Sequence, residues 1–266
     1  MSVRAATYVA EVLRREQLTS HFVRIVLGGP GLAEFRSTGI PDEWVALTIP
    51  GQFQTRYYTV RSWDGAELVL DIVVHEHGLV TEWASLDCVG QVVTISEPKG
   101  SFSMPDDASW LLLVGDLTAL PAVARIVETV SVPVTACVET PDEPVRDYIS
   151  TEIADRATTQ LTWTTPPAGV ETATADIVVA IDWPAGSGYF WMAGESAQMR
   201  AIRKHLMRER QLPTASYDVM GYWRGGGQVR QPRAVDPGPI WRAGKAAGKS
   251  DGQIWADYDA ARESIE

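Results

Sequence analysis

Residues Arg56-Tyr57-Tyr58-Thr59-Val60-Arg61 decide how this chain is read. Tyr, Thr and Val favour extended backbone, so the six residues predict a strand. Alternate side chains of a strand share a face, which puts Arg56 and Tyr58 on one side about 7 Å apart. A guanidinium fork grips phosphate oxygens bidentately, and a neighbouring phenol ring offers a flat face to an aromatic ring system. Thr59 adds an N–H and a hydroxyl. Together these meet the needs of a dinucleotide flavin: a cation for its pyrophosphate, a face for its rings and hydrogen bonds at its N5/O4 edge. The plainer alternative is an amphipathic strand with no ligand, because short motifs misfire.

Around this segment the first hundred residues alternate short β-rich runs with breaks. The runs are Phe22–Leu27, Trp44–Ile49, Arg56–Ser62, Leu68–His75 and Val92–Ser96, and the turns include Gly28-Gly29-Pro30, Asp64-Gly65 and Pro98-Lys99-Gly100. That rhythm predicts an antiparallel β-barrel over residues 1–107. After Pro105-Asp106-Asp107 the texture changes. Trp110–Val114 is an unbroken apolar run, Leu120–Val130 has helical periodicity, and Val132–Val138 is a second strand. The alternation predicts a doubly wound α/β domain over residues 108–224. Its later parts are strands at Leu161–Thr164, Tyr189–Ala193 and Ser216–Tyr222, and a helix over Ala197–Glu209. Ala175–Trp183 fits helix or strand. Residues 225–266 form a basic, loop-like stretch ending in a short helix at Gln253–Ser264.

Composition narrows the function. The 266 residues suit two domains, and 45% hydrophobic with 21% charged residues belongs to a globular protein. No apolar run reaches the ~18 residues of a membrane span. Met1–Ala10 lacks a signal-peptide core, so a cytoplasmic protein without membrane insertion is expected, and a monomer is expected besides. The net charge of −11 argues against nucleic acid. Cys88 and Cys137 are expected to be reduced and buried.

Three further turns carry chemistry. In Val74-His75-Glu76-His77-Gly78-Leu79-Val80-Thr81-Glu82-Trp83-Ala84 a strand turns at Gly78, and a helix is predicted from near Thr81. Helix starts suit phosphate, because their N–H groups lack partners. His75 and His77 have no third ligand nearby, so no metal is expected. Gly115-Asp116-Leu117-Thr118-Ala119-Leu120-Pro121 and Gly194-Glu195-Ser196 each follow a buried strand and open a helix. Two such turns at the carboxyl ends of one sheet would form a dinucleotide crevice. Glu139 lies 24 positions after Gly115. An acid there accepts from a ribose 2′-OH and repels a 2′-phosphate, which leans toward NADH over NADPH.

These motifs, in this order, resemble the siderophore-interacting protein family of FAD-dependent ferric-siderophore reductases over roughly residues 5–224. The family strand reads Arg-x-Tyr-Thr-x-Arg, which matches Arg56, Tyr58, Thr59 and Arg61. The Gly78 turn matches Gly-Pro-Ala-Ser-x-Trp-Ala at Gly78, Trp83 and Ala84, with Thr81 keeping the hydroxyl and Leu79 and Val80 departing. The Gly115 turn matches Gly-Asp-Glu-Thr-Ala-Leu-Pro-Ala except at Leu117, and Gly221-Tyr222-Trp223-Arg224 matches directly. The resemblance implies an FAD-holding barrel followed by an NAD(P)H-receiving α/β domain. It also implies FAD contacts from Arg56, Tyr57, Tyr58, Thr59, Arg61, Val74, His75, Gly78, Val80, Thr81, Trp83 and Ala84. Nicotinamide contacts would come from Gly115, Asp116, Thr118, Ala119, Pro121, Glu139, Gly194, Glu195 and Ser196. Lys99, Tyr222, Trp223 and Arg224 would face the ferric chelate.

The implied chemistry is hydride transfer to a flavin held at Tyr58 and Thr59, then single-electron transfer to Fe(III), releasing Fe(II). A ferredoxin is an alternative donor. The family's His-Val-Lys-Leu segment is Trp44-Val45-Ala46-Leu47 here, so a lysine is missing at Ala46, and the chain has only four lysines. That keeps open a reductase of free flavin, quinone or another iron chelate, and also a flavin- or siderophore-binding protein without turnover. Arg224, Arg230, Arg233, Arg242, Lys245 and Lys249 could instead form a positive mouth.

Overall fold

The computed structural model describes residues 6–50, 55–74, 78–141 and 143–225, and the single positions Ala243, Ala247, Lys249, Gln253 and Asp257. Met1–Arg224 and Gly225–Glu266 are two compact units. In the second, Lys249 pairs with Asp257 at 2.7 Å, while Arg230, Arg233, Arg242 and Lys245 lie outside the described residues. So does most of the helix expected at Gln253–Ser264.

In the first unit the barrel is built from β1 (Thr7–Gln17), β2 (Phe22–Gly28), β3 (Trp44–Thr48), β4 (Arg56–Trp63), β5 (Leu68–Val73) and β6 (Val92–Ser96). They close in the order β1-β2-β5-β4-β3-β6. Alternation sends Val45, Leu47 and Val60 into the core, and Trp44, Ala46, Tyr57 and Thr59 to the outer surface. The β4–β5 register shifts between Val60 and Ser62, and this irregularity falls at Arg61. Helix α1 (Leu79–Ser85) packs into the barrel core through Val80, Trp83 and Ala84. It starts at Leu79, ahead of the expected Thr81, because Gly78 at φ 152° makes the sharp entry.

The second half alternates strand and helix as predicted. It contains β7 (Leu111–Asp116), α2 (Leu120–Thr129), β8 (Val134–Glu139), α3 (Thr151–Ala154), β9 (Thr159–Thr164), α4 (Thr174–Ala180), β10 (Tyr189–Glu195), α5 (Ser196–Arg208) and β11 (Tyr217–Trp223). Ala175–Trp183, ambiguous by pattern, is largely helical. The sheet is parallel in the order β11-β10-β7-β8-β9, with every residue of β7 and β10 buried. Strand order reverses between β7 and β10, which makes their carboxyl ends the switch point. No described helix is long and apolar enough to cross a membrane. Cys88 and Cys137 are free and buried.

Among the described residues, three groups of polar contacts between barrel and sheet stand out. Arg24 pairs bidentately with the buried Asp71 at 2.8 Å, and the Tyr148 hydroxyl donates to the same carboxylate. Arg61 pairs with Glu128 of α2 at 2.8 and 2.5 Å, while Arg125 donates to the Val60 carbonyl at 2.6 Å. The third joins Asp42, Ser101 and β11.

Candidate functional site

On β4 the two faces divide the work. Tyr58 packs against the barrel core, and burial pushes its hydroxyl pKa well up, so the phenol stays neutral. Arg56 is exposed. On the other face Tyr57 stands 68% exposed, whereas Thr59, opposite Trp44 in the register, is only 7% exposed. Thr59 is covered by Tyr222 of β11. The Tyr222 hydroxyl is shut off from solvent and lies against the Thr59 hydroxyl with no well-aligned hydrogen bond. Burial raises its pKa first, and the nearby Asp42 charge adds to this. A buried donor without a well-aligned bond costs stability, so a hydrogen-bonding ligand edge between Thr59 and Tyr222 would satisfy an existing deficit. The residues fit a flavin edge here.

Other residues expected at the flavin have partners within the protein. Arg61 is held by Glu128 and lies 5.9 Å over the Tyr148 ring, so its charge already serves the barrel–sheet contact. The Thr81 hydroxyl turns back to the Val73 carbonyl at 3.3 Å. Val80 and Ala84 are core residues, and the Trp83 indole donates to Gln91 at 2.8 Å. Val74 packs against the same core, and its N–H donates to the His21 carbonyl at 2.8 Å. His75 lies outside the described residues.

At the switch point the two glycine turns do meet, but a side chain sits between them. Asp116 accepts at Oδ1 from the Thr118 N–H (2.9 Å) and hydroxyl (2.6 Å), and at Oδ2 from the Glu195 N–H (3.0 Å) and the Trp223 indole (2.6 Å). Asp116 is therefore the cap of that helical turn. Burial raises its pKa, opposed by the bonds from Thr118, Trp223 and Glu195. Glu195 likewise caps α5, accepting from Ala197 (2.5 Å) and Gln198 (3.0 Å). The N–H groups of Thr118, Glu195, Ala197 and Gln198, which sequence alone would offer to phosphate, thus already donate to the chain's own carboxylates. Gly194 is required here: at φ 152° its added Cβ would lie 2.4 Å from Asp116 Oδ2. Gly115 has similar reason, since a Cβ there would lie 2.7 Å from the Cβ of Ala119. Pro121 lies in the first turn of α2, where its missing N–H has no intrahelical bond to lose. The Ser196 hydroxyl donates to the Trp223 carbonyl at 2.7 Å.

Glu139 overturns its expected placement. It is 4% exposed, and its oxygens accept the Ala173 N–H at 2.9 and 3.2 Å, so it anchors α4 rather than facing a ribose. Lys99 is exposed and bridges by backbone to Trp44, and Arg224 is exposed at the end of β11.

One cluster escaped sequence reasoning. The buried Asp42 accepts from the N–H groups of Ser101 (2.9 Å) and Phe102 (3.0 Å), the Ser101 hydroxyl (2.9 Å) and the Trp191 indole (3.2 Å). Ser101 Oγ also contacts the Asp218 carboxyl. One hydroxyl proton cannot serve two carboxylates, so one carboxyl must donate. Asp42 already accepts from three other donors, so the donating carboxyl is assigned to Asp218. Burial raises the Asp218 pKa, and the Asp42 charge adds to this; the Ser101 bond and Arg203 oppose it. A carboxyl whose pKa is raised by folding stabilises the native state fully below its unfolded value near 4, and that contribution is lost as pH rises through the folded value. Thermal melts from pH 4 upward should therefore show a steeper loss for the natural chain than for Asp218→Asn. Parallel pH profiles would contradict the assignment. No local signal could have found this group, because Ser101 and Asp218 meet only through the fold.

Comparison with known proteins bears on the fold and the family. The siderophore-interacting FAD-binding domain matches residues 51–102, and the siderophore-interacting protein domain matches residues 108–226. The NADPH-dependent ferric-chelate reductase of Escherichia coli is 27% identical, over 80% of this chain and 91% of that protein. The mycobactin import ATP-binding/permease protein IrtA of Mycobacterium tuberculosis is 26% identical over 88% of this chain, which spans 28% of its length. A siderophore utilization protein from T. fusca superposes with a TM-score of 0.70 at 26% identity, covering 83% of this chain and 94% of the other. With both domain models matched in order on a barrel and a doubly wound sheet, the chain belongs to the siderophore-interacting protein family.

Proposed function

We propose that this protein is a cytoplasmic, FAD-dependent oxidoreductase that carries electrons from NAD(P)H to a ferric siderophore and releases Fe(II). The observation that carries the reading is the solvent-shielded Tyr222 hydroxyl, with no well-aligned hydrogen bond, beside Thr59 on the strand that a flavin needs. When bound, FAD supplies the conversion from a two-electron donor to a one-electron acceptor. Arg56 would hold its pyrophosphate, Tyr58 would offer a ring face, and Thr59 with Tyr222 would bond its polar edge. Arg61 acts at one remove, pinning β4 to α2 through Glu128. The domains are the barrel over residues 1–107 and the sheet over 108–224. With Glu139 turned inward, the sequence ground for preferring NADH is gone; an NADPH-dependent relative supports the phosphorylated donor equally.

The test is anaerobic turnover of FAD-loaded protein with NADPH, a ferric trihydroxamate and a chromogenic Fe(II) trap. Colour should require both FAD and donor. Arg56→Ala removes a charge-assisted grip of about 1.5–3 kcal/mol, so FAD should bind roughly ten- to a hundredfold more weakly. Unchanged FAD affinity in that variant, or Fe(II) formation without FAD, would overturn the reading.

A further inference from the structure

The outer face of β3 and β4 has a chemical character that no motif announced. Along β3 it presents Trp44, Ala46 and Thr48; along β4, Tyr57 and Thr59. Tyr57 pairs with Ala46 across the strands and is the most exposed aromatic described, at 68%. It stands one strand repeat, about 7 Å, outward from Thr59. Trp44 is half-buried opposite Thr59 and is bridged on its other side to Lys99, through N–H···O bonds of 2.7 and 2.9 Å. None of the five β3–β4 side chains on this face is basic. Arg56 lies on the opposite face of β4, and Arg61 is committed to Glu128. Of the cations beside it, Lys99 is exposed next to Trp44, and Arg125 is held by the Val60 carbonyl and Glu43.

Long-range electrostatics point the same way. At a net charge of −11 the protein repels anions as they approach, and a single exposed lysine beside aromatic rings does little to reverse that locally. An exposed tyrosine and a half-buried tryptophan beside a small alanine form an apolar surface suited to an uncharged organic shell.

We propose that this face selects ferric chelates of low net charge, of the neutral trihydroxamate kind, through apolar and aromatic contact, and disfavours polyanionic chelates of the triscatecholate kind. The proposal rests on the reductase reading above, since it takes the Thr59 edge as the electron-transfer site. Three hydroxamates neutralise Fe(III), whereas three doubly charged catecholates leave a trianion, so the two classes differ mainly in the charge this face is built to sense.

The test uses gallium(III), which matches ferric ion in charge and coordination but is not reduced under these conditions. FAD-loaded protein is titrated with the gallium complexes of a cyclic trihydroxamate and a cyclic triscatecholate, read by tryptophan fluorescence at two salt concentrations. The trihydroxamate complex should bind about tenfold or more tightly, with little salt dependence. Tyr57→Ala should weaken it several-fold, and Ala46→Lys should strengthen the triscatecholate complex while adding salt dependence. The proposal is overturned if the triscatecholate complex binds as well or better, if neither complex binds, or if Ala46→Lys leaves both affinities unchanged. Tight, salt-sensitive binding of the trianion would hand charge recognition to the cations of residues 224–249. Failure of the reductase reading looks different: the gallium complexes bind in the expected order, yet neither ferric complex is reduced.

Discussion

Replacing Asp116 by alanine should lower folding stability by about 3–5 kcal/mol, among the larger effects of a single substitution. Four donors from three elements converge on this carboxylate, and alanine leaves the N–H groups of Thr118 and Glu195 and the Trp223 indole without it. Bonds to a charged acceptor are each worth about 1.5–3 kcal/mol. The sum is not realised, because removing the buried charge also recovers its desolvation cost. Asp116→Asn keeps the shape but turns an NH2 toward one pair of donors, so about half the loss should remain. Urea denaturation at constant m-value measures both. A loss below about 1 kcal/mol for the alanine variant would mean that the turns at Gly115 and Gly194 do not depend on this carboxylate.

Asp42→Ala should cost about 3–4 kcal/mol by the same physics, acting at the contact between barrel and sheet. Two backbone N–H groups, the Ser101 hydroxyl and the Trp191 indole lose their acceptor. A second signature separates this loss from a generic cavity. Asp42's charge opposes ionisation of Asp218, so without it the pH-dependent loss of stability traced to Asp218 should shrink. A destabilised variant with an unchanged pH profile would show that the two carboxyls do not share Ser101. The connection matters to the site because Asp218 and Tyr222 alternate along one face of β11. The strand that docks on Ser101 therefore also sets Tyr222 against Thr59.

Much of the architecture could be read from local pattern. Leu111–Val114 and Tyr189–Ala193 are apolar without interruption because helices cover both faces of the sheet, and glycine marks where each strand turns. The strand that carries Arg56, Tyr58 and Thr59 was equally visible in six adjacent residues. The remainder depended on distant partners. Arg61 was expected among the flavin contacts, yet Glu128, 67 residues away, holds its guanidinium. Glu139 follows a strand as a ribose acceptor would, yet the Ala173 N–H draws it inside. Asp116 was read as part of a phosphate loop, whereas its carboxylate holds the donors itself. In each case the residue type was right for a ligand, and a contact far along the chain decided which group it met.

The most direct measurement is the visible absorption spectrum of the purified protein, supplied with FAD and recorded before and after anaerobic NADPH and, separately, NADH. A bound-flavin spectrum that bleaches with at least one donor is the expected result and would leave the ferric acceptor as the remaining question. A protein that refuses FAD, with the Thr59–Tyr222 edge intact, would contradict a flavin site on β4 altogether.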